Sequence, residues 1–251
     1  MSEGLTLLCW VKQREHPIAK LIYKCAYTVK KASMPVIPGV HKTLYRLHCG
    51  TRDLWRNFLR VVYYTPIFQT QLERPAKRLF LEKAMPLVLG PLKITIGDDC
   101  DIFGATTFNG RSSGDIQPEL ILGNKCGIGW QVTIASGTKV VFGNNVRLSK
   151  KCFLAGYPGH PIDPVARARG DADTQDQIGD IILEDDVWLC SGTVVNAGVT
   201  IGYGTIVAAG SVVTKDLPPM VLAGGVPARV IRPINPKENK TTLTAEKASK
   251  L

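Results

Sequence analysis

The chain has 251 residues, of which 45% are hydrophobic, 7% aromatic and 21% charged, and its 31 Lys and Arg against 21 Asp and Glu give a net charge of +10. This composition is too apolar for a disordered chain, and no uncharged apolar stretch of about 18 residues predicts a spanning helix. Charged residues interrupt the segment 1–20, so no signal peptide is expected and a cytoplasmic protein is predicted. Seven cysteines without a CxxC pair favour reduced, structural thiols over disulfides or a thiolate zinc site.

The positive charge is concentrated in the N-terminal third. Residues 1–95 hold 16 Lys and Arg against 5 Asp and Glu, whereas residues 96–251 hold 15 against 16. Apolar residues recur at helical spacing over 18–29 and again over 54–62, and Pro66 is expected to end the second helix. The N-terminal third is therefore predicted to be basic and largely helical.

This predicted basic region, residues 1–79, has three interpretations. Its amphipathic helices could pack on the rest of the protein, or they could contact an anionic membrane surface, which suits basic helices that carry Trp, Tyr and Phe. These two interpretations are compatible, and the second would place the protein peripherally at the inner face of a membrane. Basic helices also suit nucleic acid, but no recognised reader motif is present, and no nucleic-acid partner is predicted.

From about residue 94 the chain repeats with a period of six residues. This period favours short strands joined by tight corners, with one inward apolar side chain in each unit. Three units close one triangular coil, and stacked coils bury a continuous core. The apolar residues six apart are Ile96, Ile102 and Phe108, then Leu122, Ile128 and Ile134, then Phe142, Leu148 and Leu154, and finally Leu183, Leu189, Val195, Ile201, Val207 and Val213.

The repeats predict coils at 96–113, 122–139, 142–159, 183–200 and 201–218. The pattern resembles the left-handed parallel β-helix of the hexapeptide-repeat acyltransferases. The resemblance implies a mainly β fold preceded by an N-terminal α-helical region, and the handedness follows from the resemblance alone.

The resemblance covers residues 80–232, which are predicted to form the acyltransferase domain. The remaining segment, 233–251, is polar and rich in Lys and Thr, and it is predicted to be a flexible tail.

The six-residue period stops over 155–182, a segment predicted to project as a catalytic loop because insertions in a solenoid leave its surface. His160 is the only histidine of the repeat region. An imidazole exchanges a proton near neutral pH and can take one from an attacking hydroxyl or amine. A surface imidazole bonded to a nearby carbonyl is the alternative for a lone histidine.

The run HPIDPVAR at 160–167 resembles the catalytic loop of the maltose/galactoside O-acetyltransferase branch of that family. The runs VWLCSG at 187–192 and GGVPARVIR at 224–232 resemble the C-terminal signature of the same branch. The resemblance implies that His160 is the general base and that the backbone N–H of Ser191 stabilises the oxyanion.

The resemblance also implies a site for acetyl-CoA as the acyl donor. If the resemblance to the family is set aside, the basic residues of this site would be interpreted as solvated charges. Lys and Arg are nevertheless reasonable partners for the phosphates of CoA. The implied acetyl-CoA contacts are Ser191, Ala209, Thr214, Lys215, Arg229 and Arg232.

Two substrate-side residues have alternative roles. Asp163 either orients His160 or shapes the loop, in which case an ion pair with Arg167 is one arrangement. Trp188 either forms part of the acceptor wall or is half-buried at a coil corner.

The acceptor side departs from the family pattern. Gly129 and Gly137 align with an Asn and an Asp that hold acceptor hydroxyls in the sugar-acetylating relatives, and Gln131 and Ser136 are nearby. Gln131 is the substrate-side candidate here, and the acceptor is expected to bind differently.

The predicted function is an acetyl-CoA-dependent O-acetyltransferase of a sugar hydroxyl on a surface polysaccharide or its lipid-linked precursor, acting by direct transfer, and the resemblance implies a homotrimer. N-acetylation of a nucleotide-linked amino sugar and a non-catalytic trimeric scaffold are the alternatives. No metal is predicted, because a zinc hydratase on this scaffold needs three histidines and residues 96–251 contain one.

Overall fold

A computed structural model describes residues 9–13 and 15–235 of the chain. The chain divides into two compact units, Met1–Arg52 and Asp53–Leu251. Most of the predicted flexible tail, residues 236–251, lies outside the described residues. In the described part, no helix is both long enough and apolar enough to cross a membrane.

Two long helices begin at prolines. Helix α1 spans Pro17–Lys31, and helix α2 spans Pro38–Leu59 and so runs past the end of the first unit. The Nδ1 atom of His16 accepts a hydrogen bond from the N–H of Ile18 and caps α1. The N-terminal helical region predicted from apolar spacing is confirmed.

The helical path continues beyond Pro66, where the sequence predicted that it would end. A π-helical turn, Arg60–Tyr64, follows α2 and leads into helix α3, Thr65–Gln69, with Pro66 in its first turn. Proline is tolerated there because its missing N–H would have no partner within the helix. Pro66 therefore lies in the first turn of α3, and the predicted end of the helical path at this residue was wrong.

The second unit contains three parallel sheets. The first sheet contains β1 (Phe80–Glu82), β4 (Asp101–Phe103), β7 (Gly127–Ile128), β10 (Arg147–Leu148), β13 (Trp188–Leu189), β16 (Ile206–Val207), β18 (Val221–Gly225) and β19 (Ala228–Pro233), of which β19 alone is antiparallel. The second contains β2 (Leu87–Leu89), β5 (Thr107–Gly110), β8 (Thr133–Ser136), β11 (Phe153–Ala155), β14 (Val194–Asn196) and β17 (Val212–Val213). The third contains β3 (Lys93–Ile96), β6 (Glu119–Leu122), β9 (Lys139–Phe142), β12 (Ile181–Leu183) and β15 (Thr200–Ile201).

Each coil passes through the three sheets in turn, and equivalent residues of successive coils lie in register. Leu148 on β10, for example, lies between Ile128 on β7 and Leu189 on β13. Burial of these inward side chains removes apolar surface from water along the whole solenoid. The longest series of residues spaced six apart is fully buried: Leu183, Leu189, Val195, Ile201, Val207 and Val213.

Amide and carboxylate side chains connect the corners of neighbouring coils. Asn124 Oδ1 accepts a hydrogen bond of 2.8 Å from the N–H of Asp98, and Asn144 Oδ1 accepts one of 2.9 Å from the N–H of Asn124. Asp185 Oδ1 continues the series by accepting from the N–H of Asn144 at 2.6 Å. These bonds satisfy backbone donors that lie outside the sheets.

Two strands, β1 and β2, precede the first coil that the repeats predict, which begins at Ile96 on β3. Their inward residues are Leu81 and Val88, which are seven residues apart rather than six. The irregular spacing hides these strands from a search for period six. The predicted fold class, a left-handed parallel β-helix preceded by an α-helical region, is confirmed.

Candidate active site

The two long interruptions of the six-residue period are loops at one corner of the β-helix, between the second and third sheets. Residues 111–118 join β5 to β6, and residues 156–180 join β11 to β12. The longer segment, called the catalytic loop below, contains helix α4 (Pro164–Arg169) and a 3-10 turn (Gln175–Gln177). Sequence analysis placed this loop at 155–182.

His160 lies on the outgoing arm of the catalytic loop with its side chain exposed. Its imidazole has no hydrogen-bond partner among the residues that the structure describes. The preceding residue, Gly159, has a φ of +80° and donates its N–H to Asp173 Oδ2 at 3.2 Å, while the following Pro161 is buried. The backbone on both sides is therefore held, and the imidazole is accessible to an acceptor.

Asp163 and Arg167 bind the backbone of the loop. Asp163 caps α4 by accepting hydrogen bonds from the N–H groups of Val165 and Ala166, at 3.2 and 3.0 Å. Arg167 Nη1 donates to the carbonyl oxygens of residues 161 and 162, at 3.1 and 3.0 Å. Neither an Asp163–Arg167 ion pair nor a bond from Asp163 to His160 is formed within the described part of the chain.

A buried ion pair joins the catalytic loop to the shorter loop. Arg111 Nε lies 2.7 Å from Asp173 Oδ1, and the two side chains are 9% and 2% exposed. Sequence analysis missed this pair because 62 residues separate its members and no motif contains either one. The only signal was that both residues lie in breaks of the repeat.

Ser191 follows β13 at another corner, between the first and second sheets. Its carbonyl oxygen accepts a hydrogen bond of 3.0 Å from the N–H of Gly210, so Ala209 lies beside Ser191 on the next coil. The N–H of Ser191 has no acceptor among the described residues, and it is available to an oxyanion. No hydrogen bond or ion pair in the described part of the chain links Ser191 to His160.

Trp188 and Gln131 belong to the region of the first sheet. Trp188 projects outward from β13, 44% exposed, and its indole N–H donates to Ser149 Oγ at 3.1 Å. Gln131 is exposed in the turn after β7, with a φ of +56°.

A hollow of about 250 Å³ lies on the outer face of the same sheet. Its polar and aromatic lining residues are Glu82, Asp101, Phe103, Arg147 and Ser149, and Gly127 and Gly129 leave room for it.

The two glycines that depart from the family pattern have packing reasons. A Cβ atom at Gly137 would overlap Ile178 Cγ2 and the carbonyl oxygen of Gly156, where the catalytic loop leaves and rejoins the β-helix. A Cβ atom at Gly129 would lie 2.9 Å from the carbonyl oxygen of Leu148 on the next coil. An Asn or Asp at these positions would require the backbone to move.

The remaining predicted donor-site residues are exposed near the C-terminal end of the β-helix. Thr214 and Lys215 follow β17, and Arg229 and Arg232 lie on β19. The two guanidinium groups donate to neighbouring carbonyl oxygens at 2.8 and 3.1 Å. No described carboxylate forms an ion pair with any of these three basic side chains, which leaves their charges available to phosphate.

The thiols of Cys152 and Cys190 are poor nucleophiles. Burial raises the pKa of Cys152 to about 11 and also raises the pKa of Cys190, which adjoins Ser191. Both groups therefore carry less thiolate near neutral pH than an ordinary cysteine does. Among the described residues, no group of three or more His, Cys, Asp and Glu side chains could hold a metal ion.

Comparison with curated proteins finds named acetyltransferases, whereas no protein-family model matches the chain. The galactoside O-acetyltransferase of Escherichia coli K12 is 39% identical over 109 residues, which are 43% of this chain and 51% of that protein. A putative acetyltransferase of Schizosaccharomyces pombe is 36% identical over 136 residues, covering 51% of this chain and 63% of its own length. The matched part of the chain thus spans between 26% and 63% of the length of these curated relatives.

Comparison with solved structures finds the same fold. AntD, an N-acyltransferase from Bacillus cereus in complex with dTDP and 3-hydroxybutyryl-CoA, superposes with a TM-score of 0.54 over 74% of this chain and 96% of that chain, at 16% identity. At this identity the likeness concerns the fold alone. The matches to the curated proteins confirm the resemblance that the motifs predict, and the chain is homologous to acetyltransferases of the hexapeptide-repeat family.

Proposed function

We propose that the protein is an acetyl-CoA-dependent O-acetyltransferase that acts on a sugar hydroxyl of a surface polysaccharide or of its lipid-linked precursor. The observation that carries the proposal is the exposed imidazole of His160, which has no hydrogen-bond partner among the described residues and lies on a loop whose backbone is held on both sides of it. The loop projects from a rigid scaffold, an arrangement typical of catalytic residues. The homologous acetyltransferases support acyl transfer as the reaction class.

His160 acts as the general base in a direct transfer. Its imidazole takes the proton of the acceptor hydroxyl as the hydroxyl oxygen attacks the thioester carbonyl carbon of acetyl-CoA. The N–H of Ser191 stabilises the oxyanion of the tetrahedral intermediate, a contribution of about 3–4 kcal/mol in other acyl-transfer enzymes. The carbon–sulfur bond then breaks, and the imidazolium returns the proton to the thiolate of CoA. No cysteine takes part, which agrees with the raised thiol pKa of Cys190.

A homotrimer would bring the two halves of this site together. His160 and Ser191 lie at different corners of the same β-helix. A threefold arrangement can place the catalytic loop of one subunit against the Ser191 corner of the next, because cyclic symmetry repeats one interface around the axis. We therefore place acetyl-CoA in the groove between two subunits.

On the acceptor side, the hollow over Gly127 and Gly129 is the best candidate for the sugar. Asp101 and Arg147 supply hydrogen-bonding groups of both polarities, and Phe103 supplies an apolar face. Saccharides present hydroxyl groups and apolar C–H faces together, so this mixture of groups suits them. Trp188 borders the same region through its bond to Ser149.

On the donor side, replacing Lys215 by Ala is expected to weaken CoA binding about tenfold, which corresponds to 1.4 kcal/mol for one charged contact to phosphate. Calorimetric titration with CoA measures the dissociation constant, and the effect should shrink as salt is added. Lys93→Ala removes an equally exposed lysine from β3 at the opposite end of the solenoid and should change the constant less than about twofold. Equal effects of the two substitutions would remove Lys215 from the CoA site.

The basic N-terminal region is proposed to hold the enzyme at the anionic, cytoplasmic face of a membrane, where a lipid-linked acceptor would lie. In α1 the apolar side chains of Leu21 and Val29 are 62% and 75% exposed, and Lys30 and Lys31 occupy the last turn. In α2 the side chain of Trp55 is 61% exposed. Exposed apolar groups beside cations on one helix are typical of interfacial helices.

Vesicle binding tests this membrane contact. Vesicles of mixed phosphatidylglycerol and phosphatidylcholine are expected to co-sediment with the protein, and pure phosphatidylcholine vesicles are not. Because each lysine near an anionic surface contributes about 1 kcal/mol, the double substitution Lys30→Gln/Lys31→Gln should weaken binding about 20- to 30-fold. Lys150→Gln/Lys151→Gln, an adjacent pair on the β-helix, is the matched control. Failure to bind the anionic vesicles would refute the membrane contact and leave the acyl transfer unaffected.

A further inference from the structure

The carboxylate of Asp173 is the meeting point of three segments of the chain. Its Oδ1 atom accepts hydrogen bonds from Arg111 Nε at 2.7 Å and from Ser113 Oγ at 3.0 Å, both in the shorter loop. Its Oδ2 atom accepts the N–H of Gly159 at 3.2 Å, on the outgoing arm of the catalytic loop. Arg111 Nη2 also donates to the backbone carbonyl oxygen of Asp173 at 2.9 Å.

Arg111 itself is fixed to the β-helix. Its N–H donates to the carbonyl oxygen of Ser136 at 3.0 Å, which continues the ladder between β5 and β8 by one residue. The guanidinium therefore extends from the scaffold, whereas Asp173 belongs to the returning arm of the loop. Through this one carboxylate, both arms of the catalytic loop are tied to the β-helix.

Stability alone is a weak explanation for this arrangement. Removing two charges from water is costly, and apolar replacements of buried ion pairs are often as stable as the pair or more stable. What an ion pair supplies beyond an apolar contact is direction, because each oxygen of Asp173 has a defined donor. One of those donors is the N–H of the residue before His160, and adjacent Cα atoms are only about 3.8 Å apart.

We propose that Arg111 and Asp173 form a latch that holds the catalytic loop so that His160 is positioned for proton removal from the acceptor. The two are positioning residues, which act on His160 through Gly159. This inference rests on the proposed function for its catalytic consequence, whereas the holding of the loop is independent of it.

The double substitution Arg111→Met/Asp173→Leu tests the latch without leaving a buried charge unpaired. Misplacing a catalytic group by about 1 Å can lower a rate about 100-fold, so kcat for acetyl transfer to p-nitrophenyl galactoside should fall by about that factor. The dissociation constant of CoA should remain within about twofold, because no latch residue lies among the proposed CoA contacts. Hydrogen exchange at the Gly159 amide should become at least about tenfold faster.

A second ion pair in the same loop supplies the control. Arg169 and Asp171 are 2.6 Å apart but exposed, and neither side chain forms a hydrogen bond with Gly159. Arg169→Met/Asp171→Leu should leave kcat and the Gly159 exchange rate within about twofold. An unchanged kcat in the latch variant, or a loss of CoA affinity parallel to the loss of kcat, would overturn the positioning role.

His160→Ala, measured alongside, separates the two hypotheses. Two outcomes would count against a catalytic role for the latch: His160→Ala transfers acetyl groups as fast as the wild type, or neither protein acetylates the galactoside. In either case the exchange rate of the Gly159 amide decides whether the latch holds the loop. Faster exchange in the latch variant supports the latch, and unchanged exchange refutes it. A fall in kcat for His160→Ala but not for the latch variant overturns the positioning role and leaves the proposed function in place.

Discussion

Replacing His160 by Ala is expected to lower kcat for acetyl transfer by about 10²–10⁴-fold, the range that general-base catalysis contributes in enzymes. The loss should fall on kcat, since the imidazole assists only when the acceptor hydroxyl attacks and the CoA contacts are elsewhere. The protein should fold as before, because the side chain is exposed and has no hydrogen-bond partner among the described residues. Release of the CoA thiol, followed with a thiol reagent in the presence of acceptor, measures the rate.

His48→Ala is the matched control for this experiment. His48 is also an exposed histidine, but it lies on α2 in the basic region. Its removal should change kcat less than about twofold with a soluble acceptor. Acetyl transfer that survives His160→Ala undiminished would show that another group, or no group, removes the proton.

Replacing Phe108 by Ala is expected to lower the free energy of unfolding by about 3–5 kcal/mol, the range for large-to-small substitutions of buried aromatic residues. Phe108 is fully buried on β5, and its ring centroid lies 6.3 Å from that of Phe68 on α3. The cavity would open where α3 closes on the β-helix. Urea denaturation at a single protomer concentration measures the change, so that any oligomer contributes equally to both proteins.

Phe153→Ala supplies the comparison for the core. Phe153 is on β11 of the same sheet as Phe108, but its side chain points outward and is 39% exposed. Its loss should cost less than about 1 kcal/mol in the monomer. Equal losses for the two residues would contradict the assignment of inward and outward positions along the repeat.

The regular part of the β-helix could be predicted because each six-residue unit contributes the same inward position. Leu183 and the five residues that follow it at this spacing are all fully buried. The period of six did not reveal the strands β1 and β2, because seven residues separate Leu81 from Val88, which breaks the period without changing the strand order. Periodicity reports local geometry, and a corner that is one residue longer removes the signal.

Pro66 illustrates a second limit. A proline is a reliable stop inside a helix, but it is equally suited to the first turn of a new one. Which role it takes depends on the wider turn at Arg60–Tyr64, and no local pattern in the sequence predicted a π-helical turn there. The extent of the helical region therefore had to come from the structure.

The candidate site, too, could be predicted from the sequence only in part. Its motif-bearing members, His160 and Ser191, could be named from the sequence because their neighbours resemble a known family. The Arg111–Asp173 pair could not, because its members meet only after two loops at the same corner fold over each other. The sequence left two roles open for Asp163, orienting His160 or shaping the loop. Its hydrogen bonds go to the N-terminus of α4, which favours the second role.

The central claim is that this chain moves an acetyl group from acetyl-CoA to a sugar hydroxyl with His160 as the base. The most direct measurement incubates the purified protein with carbon-13-labelled acetyl-CoA and a panel of neutral saccharides and amino sugars, and follows the label by NMR. We predict that the label appears as an ester on a saccharide carbon with wild-type protein and that its appearance is slowed at least about 100-fold by His160→Ala. Label found as an amide on an amino sugar, or only as free acetate, would contradict the account.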